Sequence, residues 1–341
     1  MESVFKTELI SSEVQEIQKF CSGADYFALE QSIGFSKILY TTKVTYFYLL
    51  DGKLIKSFCQ INEHLKFAHI WFGPVCNSQE DTISSISEIV KYYKDRGFWY
   101  LGIQMYKKSG NECDYIEYHL NRFFDIKYFF DNENTKSSLE IDLSSDLDKI
   151  YGGFRKGHKS DIKRAVNLGI RVVETDDEND VKAFSDLYRK MCDFRLMRGH
   201  SATEVQNIIG YLKNNQLGIL LLAKDSSNNI IGGSIFAFQG ISVRYLLSAS
   251  DPDKRDLPVT HLIIYRAVEM AKEHNFRYFD FWGYNHFADK DDPISKVNSF
   301  KKGFGGYFTF FAKKMNINLI YGGYNIYQLF KVMKRITGKF K

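Results

Sequence analysis

The chain repeats itself at long range, and that repeat narrows the folds open to it. At an offset of 178 residues Val90 falls on Val268, Lys94 on Lys272, Asp95 on Glu273, Phe98 on Phe276 and Tyr100 on Tyr278. Upstream, TYFYLLDGKLIKSFCQ parallels GILLLAKDSSNNIIGGSIFAFQ at nearly the same offset. Each copy opens with Ile-, Phe- and Tyr-rich runs that predict hairpins, the first turning at Asp51-Gly52 and the second followed by another at Gln239-Gly240. Each then carries an amphipathic stretch; in the second copy Val259, Leu262, Ile263, Ala267, Met270 and Ala271 recur at helical spacing behind Asp256 and Pro258. A strand follows almost at once, so the helix must cross over one sheet face. The period is far too long for a solenoid and predicts a duplicated α/β domain with mixed sheets.

A chain of 341 residues, 44% of them hydrophobic and 16% aromatic, can bury two such cores. The expected division is 1–145 and 146–341, with the polar turn DNENTKSS near the join and a basic tail on the second domain. Cys21, Cys59, Cys76, Cys113 and Cys192 are scattered without C-x-x-C spacing, which predicts reduced thiols in a cytoplasm and no zinc site. The N-terminal stretch has no basic start followed by an apolar run, so no signal peptide is expected, and no run is long enough to span a bilayer.

The net charge of +5 is mild but unevenly spread. Arg155, Lys156, Lys159, Lys163 and Arg164 crowd one predicted helix beside a Gly-Gly break, a pattern that fits either a phosphate or nucleic-acid contact or a plain solvated face. The C-terminal run places Leu329, Phe330, Val332, Met333 and Ile336 among lysines. It reads either as a segment lying on an acidic membrane surface or as a helix packed on the domain with its lysines outward.

Several standard sites are missing. There is no G-x-x-x-x-G-K-[ST] loop, no G-x-S-x-G elbow and no pair of histidines at metal-binding helical spacing. What remains is SFKKGFGGYF, where Lys301 stands beside Phe300 before a glycine turn. An ammonium fixed against an aromatic ring, near a strand end, can stabilise the oxyanion formed when an amine attacks an ester, with no serine or cysteine nucleophile.

The order of elements resembles the acyltransferase fold that usually binds acyl-coenzyme A on a glycine-rich loop. Here the corresponding loop, SASDPDKRDLPVTH, has no glycine, holds acidic residues where an anion would approach, and loses an amide donor at Pro258. Through WFGPV, FRKGHKSDIKRAVNLGIRV, YLLSASDPDKRDLPVTHLIIYRAVEMAKEHNFRYFDFWG and SFKKGFGG, most of the chain resembles the FemABX family of peptidoglycan aminoacyltransferases. That resemblance implies two tandem GNAT-like domains and transfer of an amino acid from aminoacyl-tRNA to an amino group of a peptidoglycan precursor, nucleotide- or lipid-linked. It implies cell-wall biogenesis, in the cytoplasm or at the inner membrane face, without a cofactor.

By the same resemblance Phe300 and Lys301 stand at the ester carbonyl, with Lys302 beside them as a substrate contact. Lys37 matches a first-domain lysine that contacts precursor phosphates, and Tyr245 a tyrosine on the strand facing the substrate. Arg195 and Arg198 both qualify for an arginine after the long helix, although Cys192-Asp193-Phe194-Arg195 departs from the family's T-x-x-R. Arg155, Lys156 and Lys159 are the candidate nucleic-acid contacts. The coiled-coil arm of larger members is absent. Two rivals stand beside this reading: an N-acyltransferase moving an acyl group from a thioester to a surface polysaccharide or lipid amine, and a noncatalytic RNA- or membrane-surface-binding module.

Overall fold

A computed structural model describes residues 1–39, 43–131, 133–134 and 136–336. The end of the basic tail, 337–341, and two positions of the DNENTKSS turn therefore lie outside the described residues. The chain separates into two compact units, residues 1–136 with 310–341, and residues 137–309.

The first unit is built on a mixed sheet. Its strands are β1 (Glu2–Lys6), β2 (Lys43–Asp51), β3 (Leu54–His64), β4 (Phe67–Trp71), β5 (Val75–Cys76), β6 (Tyr100–Gln104), β7 (Ile126–Lys127) and β15 (Met315–Asn318), in the order β1-β2-β3-β4-β6-β15-β7 with β5 beside β3. Its helices are α1 (Ser11–Ser22), α2 (Phe35–Leu39), α3 (Gln79–Asp95), α4 (Asn111–Asn121) and α11 (Gly323–Ile336). The Asp51-Gly52 hairpin forms as the sequence predicts, Asp51 facing Leu54 with Gly52 in the left-handed region. Ile86, Ile89, Val90 and Tyr93 of α3 pack with Cys113, Ile116 and Leu120 of α4 in one core. Ser78 caps α3, its hydroxyl accepting from the Asp81 amide at 3.0 Å.

The second unit carries β8 (Ser137–Asp142), β9 (Arg171–Thr175), β10 (Gly218–Lys224), β11 (Ile230–Gln239), β12 (Ser242–Ser250), β13 (Tyr278–Asp280) and β14 (Tyr307–Phe310), ordered β14-β8-β13-β12-β11-β10-β9. Its helices are α5 (Leu147–Gly152), α6 (Lys156–Asn167), α7 (Glu178–Phe194), α8 (Ala202–Asn214), α9 (Val259–Glu273) and α10 (Pro293–Lys302). The predicted stripe of α9 is buried at Val259, Leu262, Ile263, Ala267 and Ala271.

The repeat is visible in the pairing. β3 runs antiparallel to β4, and after α3 β4 runs parallel to β6. Likewise β11 runs antiparallel to β12, and after α9 β12 runs parallel to β13.

The units divide the chain differently from 1–145 and 146–341. β8 already belongs to the second sheet through Tyr278↔Asp142. The C-terminal stretch returns to the first sheet, where β15 pairs with both β6 and β7. Met315 and Ile317, fully buried there, hold it in that register.

Candidate functional site

The site grows from α10. Asp292 caps this helix by accepting from the Ile294 amide at 2.9 Å, Pro293 opens it, and Gly303 closes it by donating to carbonyls of the last turn. The glycine turn expected to present Lys301 is thus preceded by a helix, and Lys301 lies in that helix's last turn rather than near a strand end.

The buried residues of α10 are Asn298 and Lys301, one turn apart on one face. Both bind the loop that leaves β13. Asn298 Nδ2 donates to the Asn285 carbonyl at 2.8 Å. Lys301 Nζ donates to the carbonyls of Trp282 and Gly283, the latter at 3.2 Å. Those two residues both sit at positive φ, 46° and 52°, so the backbone turns two consecutive carbonyls onto one ammonium.

Beneath the loop, fully buried Asp280 accepts from the Trp282 amide at 2.7 Å and from the Ser138 hydroxyl. Burial raises the Asp280 carboxyl pKa, while the nearby Arg244 guanidinium opposes that shift. Arg244 is itself fully buried, its guanidinium 3.7 Å from the centre of the Trp282 ring.

Lys301 is 6% exposed. Burial lowers its pKa to about 8, against the pull of Asp280 in the other direction. The sequence suggested an aromatic grip on this lysine; the carbonyls of Trp282 and Gly283 supply the grip. Phe300 turns instead towards two histidines, its ring 5.5 Å from that of His158 and 5.0 Å from that of His261.

Lys301 and Phe300 line a cavity of about 680 Å³ in the second unit, together with Tyr245, Arg195 and Lys296. Arg164, Arg255, Asp161, Asp256 and His261 contribute further charged or titratable groups, so five lysine or arginine side chains meet two carboxylates around it. The Arg255 guanidinium stacks 4.6 Å from the centre of the Phe194 ring, and Arg164 donates to the Asp256 carbonyl at 2.8 Å. His261 Nε2 lies 3.6 Å from Asp161 Oδ2. Its pKa is lowered to about 4, first by burial and then by His158, so the imidazole is neutral at ordinary pH.

Of the candidates, Phe300, Lys301, Tyr245 and Arg195 come together in this cavity. Tyr245 projects from β12 beside Phe236, ring centres 5.6 Å apart. Arg195 and Arg198 separate: Arg195, at the end of α7, lines the cavity, and Arg198 does not. Lys302, one residue further round the helix, points elsewhere, its ammonium 4.9 Å from the centre of the Phe308 ring. Lys37 is exposed on α2 of the first unit.

Arg155, Lys156 and Lys159 do not line the cavity. Lys159 donates to the Gly152 carbonyl at 3.0 Å, and the Arg155 amide to the Gly303 carbonyl at 2.7 Å. The buried face of α6 is His158, Ile162 and Ala165, which leaves Arg155 and Lys156 exposed, and the helix offers Asp161 and Arg164 to the cavity in their place. The sequence reasoning missed Arg255, Lys296 and His261 as cavity residues and Trp282, Gly283 and Asp280 as supports. The available signals were an acid inside the aromatic run FDFWG and the Asp292-Pro293 helix start.

Gly303 is required by close packing. A Cβ there would overlap the His158 ring, whose Nε2 sits 2.9 Å from the Phe300 carbonyl. Among the described residues no cluster of His, Cys, Asp or Glu could hold a metal ion.

Residues 213–331 match the model of the FemAB family. Over 89 residues the chain is 33% identical to the lipid II:glycine glycyltransferase of Staphylococcus haemolyticus, a match covering 26% of this chain and 21% of that protein. The chain thus matches about a fifth of that relative's length. In fold it is similar to FemX, with a TM-score of 0.80 at 16% identity over 96% of this chain and 99% of that one. It is also similar to a tandem GNAT protein from the clavulanic acid biosynthesis pathway, with a TM-score of 0.52 at 9% identity over 94% and 99%. The architecture is accordingly that of two tandem GNAT-like domains, the fold the resemblance implies.

Proposed function

We propose that this chain, similar to the FemABX-type proteins, transfers an aminoacyl group from aminoacyl-tRNA to an amino group of a peptidoglycan precursor. The acceptor is nucleotide- or lipid-linked, and the reaction runs in the cytoplasm or at the inner membrane face. The observation that carries this reading is one ammonium, Lys301, fixed by two carbonyls in the wall of a cationic cavity.

In the reaction the acceptor nitrogen attacks the ester carbonyl and an N–C bond forms. Negative charge collects on the carbonyl oxygen, the ester C–O bond then breaks, and the departing ribose oxygen takes the proton that the amine gives up, directly or through water. An ammonium has three donors. With two of them held by Trp282 and Gly283, one remains for the developing oxyanion. A pKa of about 8 keeps Lys301 mostly charged at neutral pH. Arg195, Arg255 and Lys296 suit the phosphates of a polyanionic donor.

The rival thioester donor finds less support. α9 begins behind Pro258, which has no amide to offer a pyrophosphate, and the preceding turn carries Asp251, Asp253 and Asp256. The test is to offer the protein radiolabelled aminoacyl-tRNA and acyl-coenzyme A separately, each with a nucleotide-linked precursor. Label should pass from the tRNA to the precursor. Consumption of acyl-coenzyme A alone would overturn the proposal.

A further inference from the structure

α11 is apolar on two opposite faces, where a helix packed on a domain needs only one. Its inner face meets the first unit's sheet: Tyr327 stacks on Tyr100 with ring centres 4.4 Å apart, and Phe330 packs 5.1 Å from Phe67. The lysines expected outward lie on this inner side as well, Lys331 paired with Glu133 and Lys334 Nζ 3.1 Å from His64 Nε2. The outer face is left to Ile326, Leu329, Val332, Met333 and Ile336, which recur at helical spacing and are 37 to 79% exposed.

The start of α11 continues this surface. Tyr321 is fully exposed, and the Leu319 amide donates to the carbonyl of half-exposed Trp99 at 3.1 Å. The Trp99 amide in turn donates to the Lys66 carbonyl at 2.8 Å, and Lys66 Nζ reaches the Arg96 carbonyl. Exposed aromatics therefore stand beside exposed Lys66 and Arg96.

We infer that the outer face of α11, with Tyr321 and Trp99 at its edge, docks on an anionic lipid bilayer. Aliphatic side chains enter the acyl boundary, the aromatic pair sits at headgroup depth, and exposed Lys66 and Arg96 at that edge meet lipid phosphates. Among the described residues no helix is long and apolar enough to cross a membrane. Vesicle binding needs no substrate, so its failure would leave the transfer reaction standing.

The experiment is co-sedimentation of the full chain with vesicles of phosphatidylglycerol and phosphatidylcholine in equal parts, and with phosphatidylcholine alone. The chain should bind the anionic vesicles, weaken with added salt, and lose about tenfold or more in affinity in the Leu329→Asp, Met333→Asp double variant. Both positions are exposed, so the variant's melting temperature should match that of the wild type. A folding-independent check is the Trp99 emission of the wild type, which should shift to the blue with anionic vesicles and not shift in Trp99→Phe. Equal binding by the double variant, or no preference for anionic vesicles, would overturn the inference. So would a dimer in vesicle-free solution that the double variant dissolves, which would assign the face to a second copy.

Discussion

Among the described residues each unit holds one buried lysine, and the two invite comparison. Lys301 and Lys314 are 6% and 2% exposed, and burial drags each ammonium down to about 8. Their surroundings differ. Lys301 is held by the carbonyls of Trp282 and Gly283 and lines a cavity. Lys314 sits between rings, 5.3 Å from the centre of Trp71 and 5.9 Å from that of Tyr327, under a helix that closes over the sheet. A depressed pKa records desolvation; chemistry also needs fixed partners and room for a substrate.

The largest expected difference is in turnover. Lys301→Met should lower the steady-state transfer rate about 100- to 1000-fold, the usual cost of an oxyanion donor, whereas Lys314→Met should stay within about threefold of wild type. A collapse of activity in both variants would erase the contrast.

A glycine crowds each lysine's neighbourhood and sharpens the comparison. In Gly303→Ala the new methyl meets the His158 ring at the end of α10; in Gly102→Ala it meets the Tyr100 hydroxyl at 2.5 Å and Lys314 Cε at 3.0 Å. Each should cost about 2–3 kcal/mol in urea unfolding, but only Gly303→Ala, at the end of the helix that carries Lys301, should also slow transfer per folded molecule.

Next is an acid limb set by His261. Its folded-state pKa lies near 4, below the ordinary 6.5, so between those values the unfolded chain binds the proton first. Stability should therefore fall as pH drops from 6.5 towards 4, by up to about 3 kcal/mol, and His261→Phe should flatten that limb. Thermal melts across that range provide the check. The smallest contrast is between neighbouring arginines: Arg195→Ala should raise the donor KM about tenfold, and Arg198→Ala should leave it within about twofold.

Much of this was legible in the sequence. The hairpins and the stripes of α3 and α9 follow from local periodicity, and the 178-residue offset exposed the duplication because both copies keep it. α10 escaped notice for a physical reason: its buried face is Asn298 and Lys301, so the helix that carries the site has no apolar stripe. β15 escaped for another. A four-residue strand pairs with partners roughly two hundred residues away in the chain, and no local signal carries that register. The motif itself picked out Lys301, while its supports Trp282 and Gly283 depend on a backbone turn that composition does not specify.

The most direct test of the oxyanion role is the pH dependence of the single-turnover transfer rate for wild type and for Lys301→Arg. Taking their ratio cancels the titration of the acceptor amine. The account predicts that the ratio is constant below about pH 8 and falls about tenfold per unit above it, as the lysine loses its proton and the arginine does not. A ratio that stays level up to pH 10 would mean that the charge on Lys301 takes no part in the reaction.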